Sequence, residues 1–131
     1  MNLFTFVIPP WDISTIGKKH PNISLPTSEA DFGRIWAAIK RETLLALDEG
    51  VATPGEIDGI FKAVLKTPKG PCEQMDVVGL DVVLDIEKHY AEVRPGLPEG
   101  PRKLLNEMVA QGLLGVKSGK GFFRHTDKRE N

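Results

Sequence analysis

The run TPKGPCEQMDVVGLDVVLDIEKHY, Thr67 to Tyr90, decides the fold. Pro68, Gly70 and Pro71 break whatever precedes them, because proline fixes φ and lacks an N–H donor while glycine permits sharp reversals. With Pro71 in a first-turn position, Met75, Val78 and Leu80 lead into Val83, Leu84 and Ile86, and Asp81, Asp85 and Lys88 fall on the other side. Gly79 interrupts the run. The pattern predicts a short helix, a bend and a longer helix ending near Val93, with Asp76 and Asp81 capping the bend.

Working back from this corner, Thr53-Pro54-Gly55-Glu56 has the form of a capping box with proline at N1. The helix it starts is expected to bury Ile57, Ile60, Phe61, Val64 and Leu65. A longer helix precedes it, opened by Ser28 and Asp31 and closed by Gly50 as the C′ residue. Phe32, Trp36, Ile39, Thr43 and Leu47 form its apolar stripe, flanked by Ile35, Ala38 and Ala46, so that Arg34, Lys40, Arg41 and Asp48 face away. Pro9, Pro10, Pro21 and Pro26 make residues 1–31 an irregular strap, with room for one strand at Leu3–Ile8 and aromatic residues Phe4, Phe6 and Trp11 to bury.

Forward from the corner, residues 94–101 form a proline- and glycine-rich loop. Pro101 opens a last helix on Leu104, Leu105, Met108 and Val109, ending at Gly112. Gly115, Gly119 and Gly121 shape a turn that docks Phe122, and residues 124–131 form a polar tail. The expected fold is all-α, about five helices, with the helical domain over residues 32–123.

Composition narrows the function classes. The 131 residues are 40% hydrophobic and 27% charged with a net charge of −1, which suits one ordinary globular domain and offers no field for nucleic acid or an anionic membrane. No run approaches the ~20 apolar residues of a membrane span, and no targeting signal is evident. The single cysteine, Cys72, cannot bridge within the chain and fits a reducing, cytoplasmic setting. His20, His89 and His125 are too scattered for a metal site. Cys72 at a helix start would have its thiol acidity raised by the helix dipole, yet no base lies near it in sequence, and a packing role is the simpler reading. Glu42, among Ala38, Ile39, Leu45 and Ala46, reads as a half-buried carboxylate that either pairs with a base such as Arg41 or Lys62 or caps a neighbouring helix end. His89 reads as a surface residue near a helix C-terminus.

The runs Phe32 to Glu42, Glu49 to Ala52, Pro68-Lys-Gly-Pro71, Asp76-Val-Val-Gly-Leu-Asp81 and Leu114-Gly-Val-Lys-Ser-Gly-Lys-Gly-Phe122 resemble, in order and spacing, the C-terminal domain of the 3-hydroxyacyl-CoA dehydrogenase family. The resemblance implies a helical domain that mediates dimerisation and closes one side of an acyl-CoA cleft in fatty acid metabolism. NAD and the catalytic histidine and glutamate belong to the family's Rossmann domain, so no cofactor is expected on this chain alone. Where the family carries Phe-Asn-Arg, this chain has Phe32-Gly33-Arg34, which removes an asparagine that serves the family's active site. Two functions follow. One is a homodimeric, non-catalytic module, for which a separate Rossmann-domain protein is the partner that would complete the cleft in trans. The other is a cofactor-independent enzyme or binder that reuses the inter-subunit cleft for an acyl-CoA or other hydrophobic small molecule, the cleft lined by Arg34 and Lys117 as substrate contacts and by Glu42 and His89 as catalytic candidates. A shortened product of a longer dehydrogenase gene is a third reading.

Overall fold

Five α-helices and a 3-10 turn make up the described part of the chain, which a computed structural model gives for residues 25–125, with side chains from residue 33. The helices are α1 (Leu25–Asp48), α2 (Pro54–Leu65), α3 (Pro71–Val78), α4 (Leu80–Val93) and α5 (Gly100–Ala110), and the 3-10 turn is Val116–Ser118. The expected strand at Leu3–Ile8, the burial of Phe4, Phe6 and Trp11, and most of the tail lie outside the described residues. The chain divides into two compact units, Met1–Trp36 and Ala37–Asn131. In the first, the described residues are the opening part of α1, on which Arg34 and Ile35 are exposed.

Helix α1 starts at Leu25, ahead of the expected Ser28, so residues 25–31 belong to a helix and not to an irregular strap. Pro26 allows this because in a first turn its missing N–H has no intrahelical role. The far end behaves as read: Gly50, at φ 74°, accommodates the reversal while Val51 N–H donates to Ala46 O at 2.9 Å.

In the second unit the core is Leu44, Met75, Leu80, Val83, Leu84 and Leu105, joined by Leu104, Met108, Val109 and Phe122. Helix α1 turns Ala37, Lys40, Arg41 and Leu44 inward, a stripe at i, i+3, i+4 and i+7, and leaves Ala38 exposed. The expectation that Lys40 and Arg41 face away is thus corrected. A reading of apolar periodicity alone misses the buried Arg41, whose guanidinium grips Glu87 of α4 through Nε and, at 3.3 Å, through Nη2. Tyr90 lies under that guanidinium, 5.3 Å from ring centroid to Cζ. Burying such a pair is tolerable only because the geometry is bidentate.

A second correction concerns α2. Its capping box forms as read, Glu56 N–H donating to Thr53 Oγ1 at 3.2 Å and Thr53 N–H to Glu56 Oε1 at 3.0 Å. The one fully buried residue on the helix is Asp58, however, while Ile60 and Val64 are 66% and 68% exposed. The amphipathic stripe exists, and half of it is uncovered in this chain.

Helix α5 packs along α4, and Lys103 ties it to the end of α1 through Asp48 at 3.2 Å. Arg102 reaches back to the carbonyl oxygens of Leu97 and Pro98, which pins the proline-rich loop.

Candidate functional site

Two buried aspartates organise the surface that the corner presents. Asp58 points from α2 at the start of α3, where the N–H groups of Cys72 and Glu73 donate to its Oδ1 and Oδ2 at 2.9 and 2.8 Å. Helix α3 begins with Gly70 at the N-cap, which has no side chain to cap with, so the neighbouring helix supplies the oxygens. The approach is so close that a methyl group at Gly70 would run into Asp58.

Asp76, fully buried on α3, does the same for the C-terminal segment. Phe122 N–H donates to Oδ1 and Phe123 N–H to Oδ2, each at 2.9 Å, and His125 Nε2 lies 2.7 Å from Oδ2. Both oxygens act as acceptors, so Nε2 carries the ring proton. Gly115, at φ 101°, lets the returning chain pass against the Asp76 backbone where a side chain would collide. Leu114 O then accepts from Leu80 N–H at 3.0 Å, fastening the same segment to the first turn of α4.

The roles expected for the bend are accordingly redistributed. Gly79, at φ 107°, makes the α3–α4 turn without a side-chain cap, and Asp76 serves the C-terminal segment. Asp81 pairs with Lys117, its Oδ1 and Oδ2 lying 2.7 and 2.9 Å from Nζ. The donating Lys117 ammonium holds the Asp81 carboxyl below the usual carboxylate range against the opposing effect of burial, with the Val82 amide a smaller contributor.

The remaining sequence candidates separate. Cys72 is fully buried, and burial first, then the neighbouring Asp58, push its thiol well above the ordinary value. The acidity expected from the helix dipole is overturned because the helix start is already occupied by a carboxylate. Glu42 is exposed, not half-buried, since α1 turns its Arg41 side inward. His89 is exposed, edge-on to Tyr90, and among the described residues nothing joins it to Glu42. Arg34 is exposed on the opening part of α1. No group of three histidine, cysteine or acidic side chains suited to a metal ion occurs among the described residues, and no described helix is long and apolar enough to cross a membrane.

Two concave surfaces flank α2. One, of about 380 Å³, is apolar and is walled by Ala52, Ile57, Ile60, Phe61, Val64 and Leu65. The other, of about 340 Å³, is of mixed character and runs past Gly55, Asp58, Gly59, Lys62 and Glu73 to Phe123, Arg124 and His125. Sequence reasoning missed the second because it assigned Arg124 and His125 to a loose tail. The signal that could have found it was a pair of glycines inside a helix with no turn to explain them.

Comparison with known proteins places this architecture. Residues 32–125 match the family described as 3-hydroxyacyl-CoA dehydrogenase, C-terminal domain. A probable 3-hydroxybutyryl-CoA dehydrogenase of Deinococcus radiodurans is 40% identical over 105 residues, covering 76% of this chain and 38% of that protein. The mitochondrial hydroxyacyl-coenzyme A dehydrogenase of Mus musculus is 33% identical over 112 residues, covering 85% of this chain and 35% of the enzyme. Among solved structures, FadB2 of M. tuberculosis superposes with a TM-score of 0.65 at 33% identity over 70% of this chain and 32% of its own. The (S)-3-hydroxybutyryl-CoA dehydrogenase PaaH1 of Ralstonia eutropha gives 0.61 at 36% identity over 71% and 33%. The chain thus spans little more than a third of the relatives it matches, and that third is one helical domain, whereas NAD binds the Rossmann domain of the full-length family. The chain belongs to the 3-hydroxyacyl-CoA dehydrogenase family, as its C-terminal domain.

Proposed function

We propose that this chain serves as the self-association and cleft-closing domain of a 3-hydroxyacyl-CoA dehydrogenase, pairing with a second copy through the apolar face of α2. Hydride transfer to NAD falls to a Rossmann domain, joined to it or supplied in trans. The observation that carries this reading is the exposure of Val51, Ile60 and Val64, at 71%, 66% and 68%, beside an apolar groove on α2. Water-exposed valine and isoleucine in such a cluster are costly unless a partner covers them. A two-fold pair meets this need with one surface used twice. In this arrangement Arg34 is available to substrate, and Lys117 becomes so only by leaving Asp81.

Gly33 bears on what the domain contributes. A Cβ there meets nothing within 4 Å, so the helix has space for a larger side chain at the position where the family is expected to place asparagine. The pairing is tested by size-exclusion chromatography of Ile60→Glu and Val64→Glu. Both variants are expected to elute as folded monomers while the parent elutes as a dimer, and two unchanged elution volumes would contradict the reading.

A further inference from the structure

Helix α2 carries opposite charges at its two ends, with the exposed Ile60 and Val64 between them. Glu56, in the first turn, is exposed and lines the apolar groove beside Ile57 and Ile60. Its Oε1 accepts from the Thr53 N–H, which leaves Oε2 uncommitted, and it makes no ion pair among the described residues. Lys66, at the C-cap, is likewise exposed and without an ion-pair partner among the described residues. The other charges on α2 are engaged within the chain. Lys62 lies 3.6 Å from Glu73, and Asp58 caps the start of α3.

These end charges bear on how two copies meet. The rise from Glu56 to Lys66 is roughly 15 Å along the helix axis, so an ion cannot serve both ends at once. If two α2 helices run in the same direction about a two-fold axis, Glu56 meets Glu56 and Lys66 meets Lys66. The two helix dipoles then lie side by side with like ends together, and every one of these contacts is unfavourable. If the helices run in opposite directions, each Glu56 comes to Lys66 of the other copy, and each positive helix end lies beside a negative one. Exposed ion pairs at the rim of an interface add little affinity, but they select orientation, because the wrong arrangement brings like charges together.

We propose that the two copies meet with their α2 helices antiparallel, about a two-fold axis near Phe61, each Glu56 facing Lys66 of the other. The inference rests on the pairing through α2 proposed above and adds its direction. Ile60 and Val64 supply the apolar contact, and the two end charges fix the direction, each contact being made twice.

Charge reversal and cross-linking test the direction separately from the pairing. Lys66→Glu lies outside the capping box and places like charges together twice, so it should weaken the dimer about tenfold in sedimentation equilibrium. Glu56→Lys should weaken it similarly, with helicity followed by circular dichroism because Glu56 also serves the cap, and the double variant should return to near the parent value. Cys72 is buried, so a short bismaleimide should join Glu56→Cys to Lys66→Cys when the two chains are mixed and should join neither variant to itself. A dimer whose Kd is the same in the parent and both single reversals, or in which Lys66→Cys cross-links to itself, would contradict the antiparallel arrangement and leave the pairing standing. A parent chain that stays monomeric would overturn both.

Discussion

At the scale of single residues, stability is concentrated in a few buried charges with complete sets of partners. Asp76 accepts from two backbone amides and an imidazole, so Asp76→Ala strands all three donors and is expected to cost about 3 kcal/mol in urea unfolding. Glu87→Ala leaves Arg41 buried and unpaired, an expected loss of about 3 to 5 kcal/mol. The double change Arg41→Met with Glu87→Leu should recover most of that loss, because an apolar pair needs no partner. Asp81 supplies the pH dependence. Its folded value lies below its unfolded one, so the tie to Lys117 is intact above the ordinary aspartate value of about 3.9 and is lost only as pH falls through the lower folded value. A carboxyl NMR titration should show the Asp81 midpoint rising in Lys117→Ala. Cys72, buried and with its thiol acidity suppressed, should react with an aromatic disulfide reagent only after unfolding. None of these partnerships was legible in the sequence, since Asp58 to Cys72 and Asp76 to His125 join residues brought together by the fold.

Elements were far more legible than their faces. The Thr53 capping box, the Pro71 start, the Gly79 bend and the Gly112 stop all stand where turn and cap chemistry puts them, because each is decided by residues within a turn of one another. Which side of a helix is buried depends on its neighbours. Helix α1 turns its Lys40 and Arg41 side inward because Glu87 waits on α4, and α2 leaves Ile60 and Val64 outside because its packed side is fixed by Asp58. The start of α1 was misjudged through Pro26, which breaks a helix interior but not a first turn. The groove past Arg124 and His125 was invisible for a related reason, both residues lying in a segment held by Asp76 and by the Leu80 amide on Leu114 O, contacts that only the fold creates. At this scale Thr53→Ala should lower stability by about 1 kcal/mol through loss of the cap. Gly59→Ala should raise it by roughly 0.5 to 1 kcal/mol, because the added methyl meets open space. Both are read from urea midpoints at constant m-value.

For the whole molecule, the described helices form a core around Leu44, Met75, Leu80 and Leu105 and leave an apolar face of α2 open. The corner, the buried aspartates that brace it and the glycine-rich return past Asp76 form the architecture of a chain that matches the 3-hydroxyacyl-CoA dehydrogenase C-terminal domain. Gly33→Asn belongs at this scale too. It should be accommodated without loss of stability, as a melting curve will register, since the position is open. The proposal that this architecture is built to pair is met most directly by sedimentation equilibrium of the unmodified chain at micromolar concentration. The account predicts a dimer that dissociates on dilution or on Val64→Glu, and a monodisperse monomer throughout that range would contradict it.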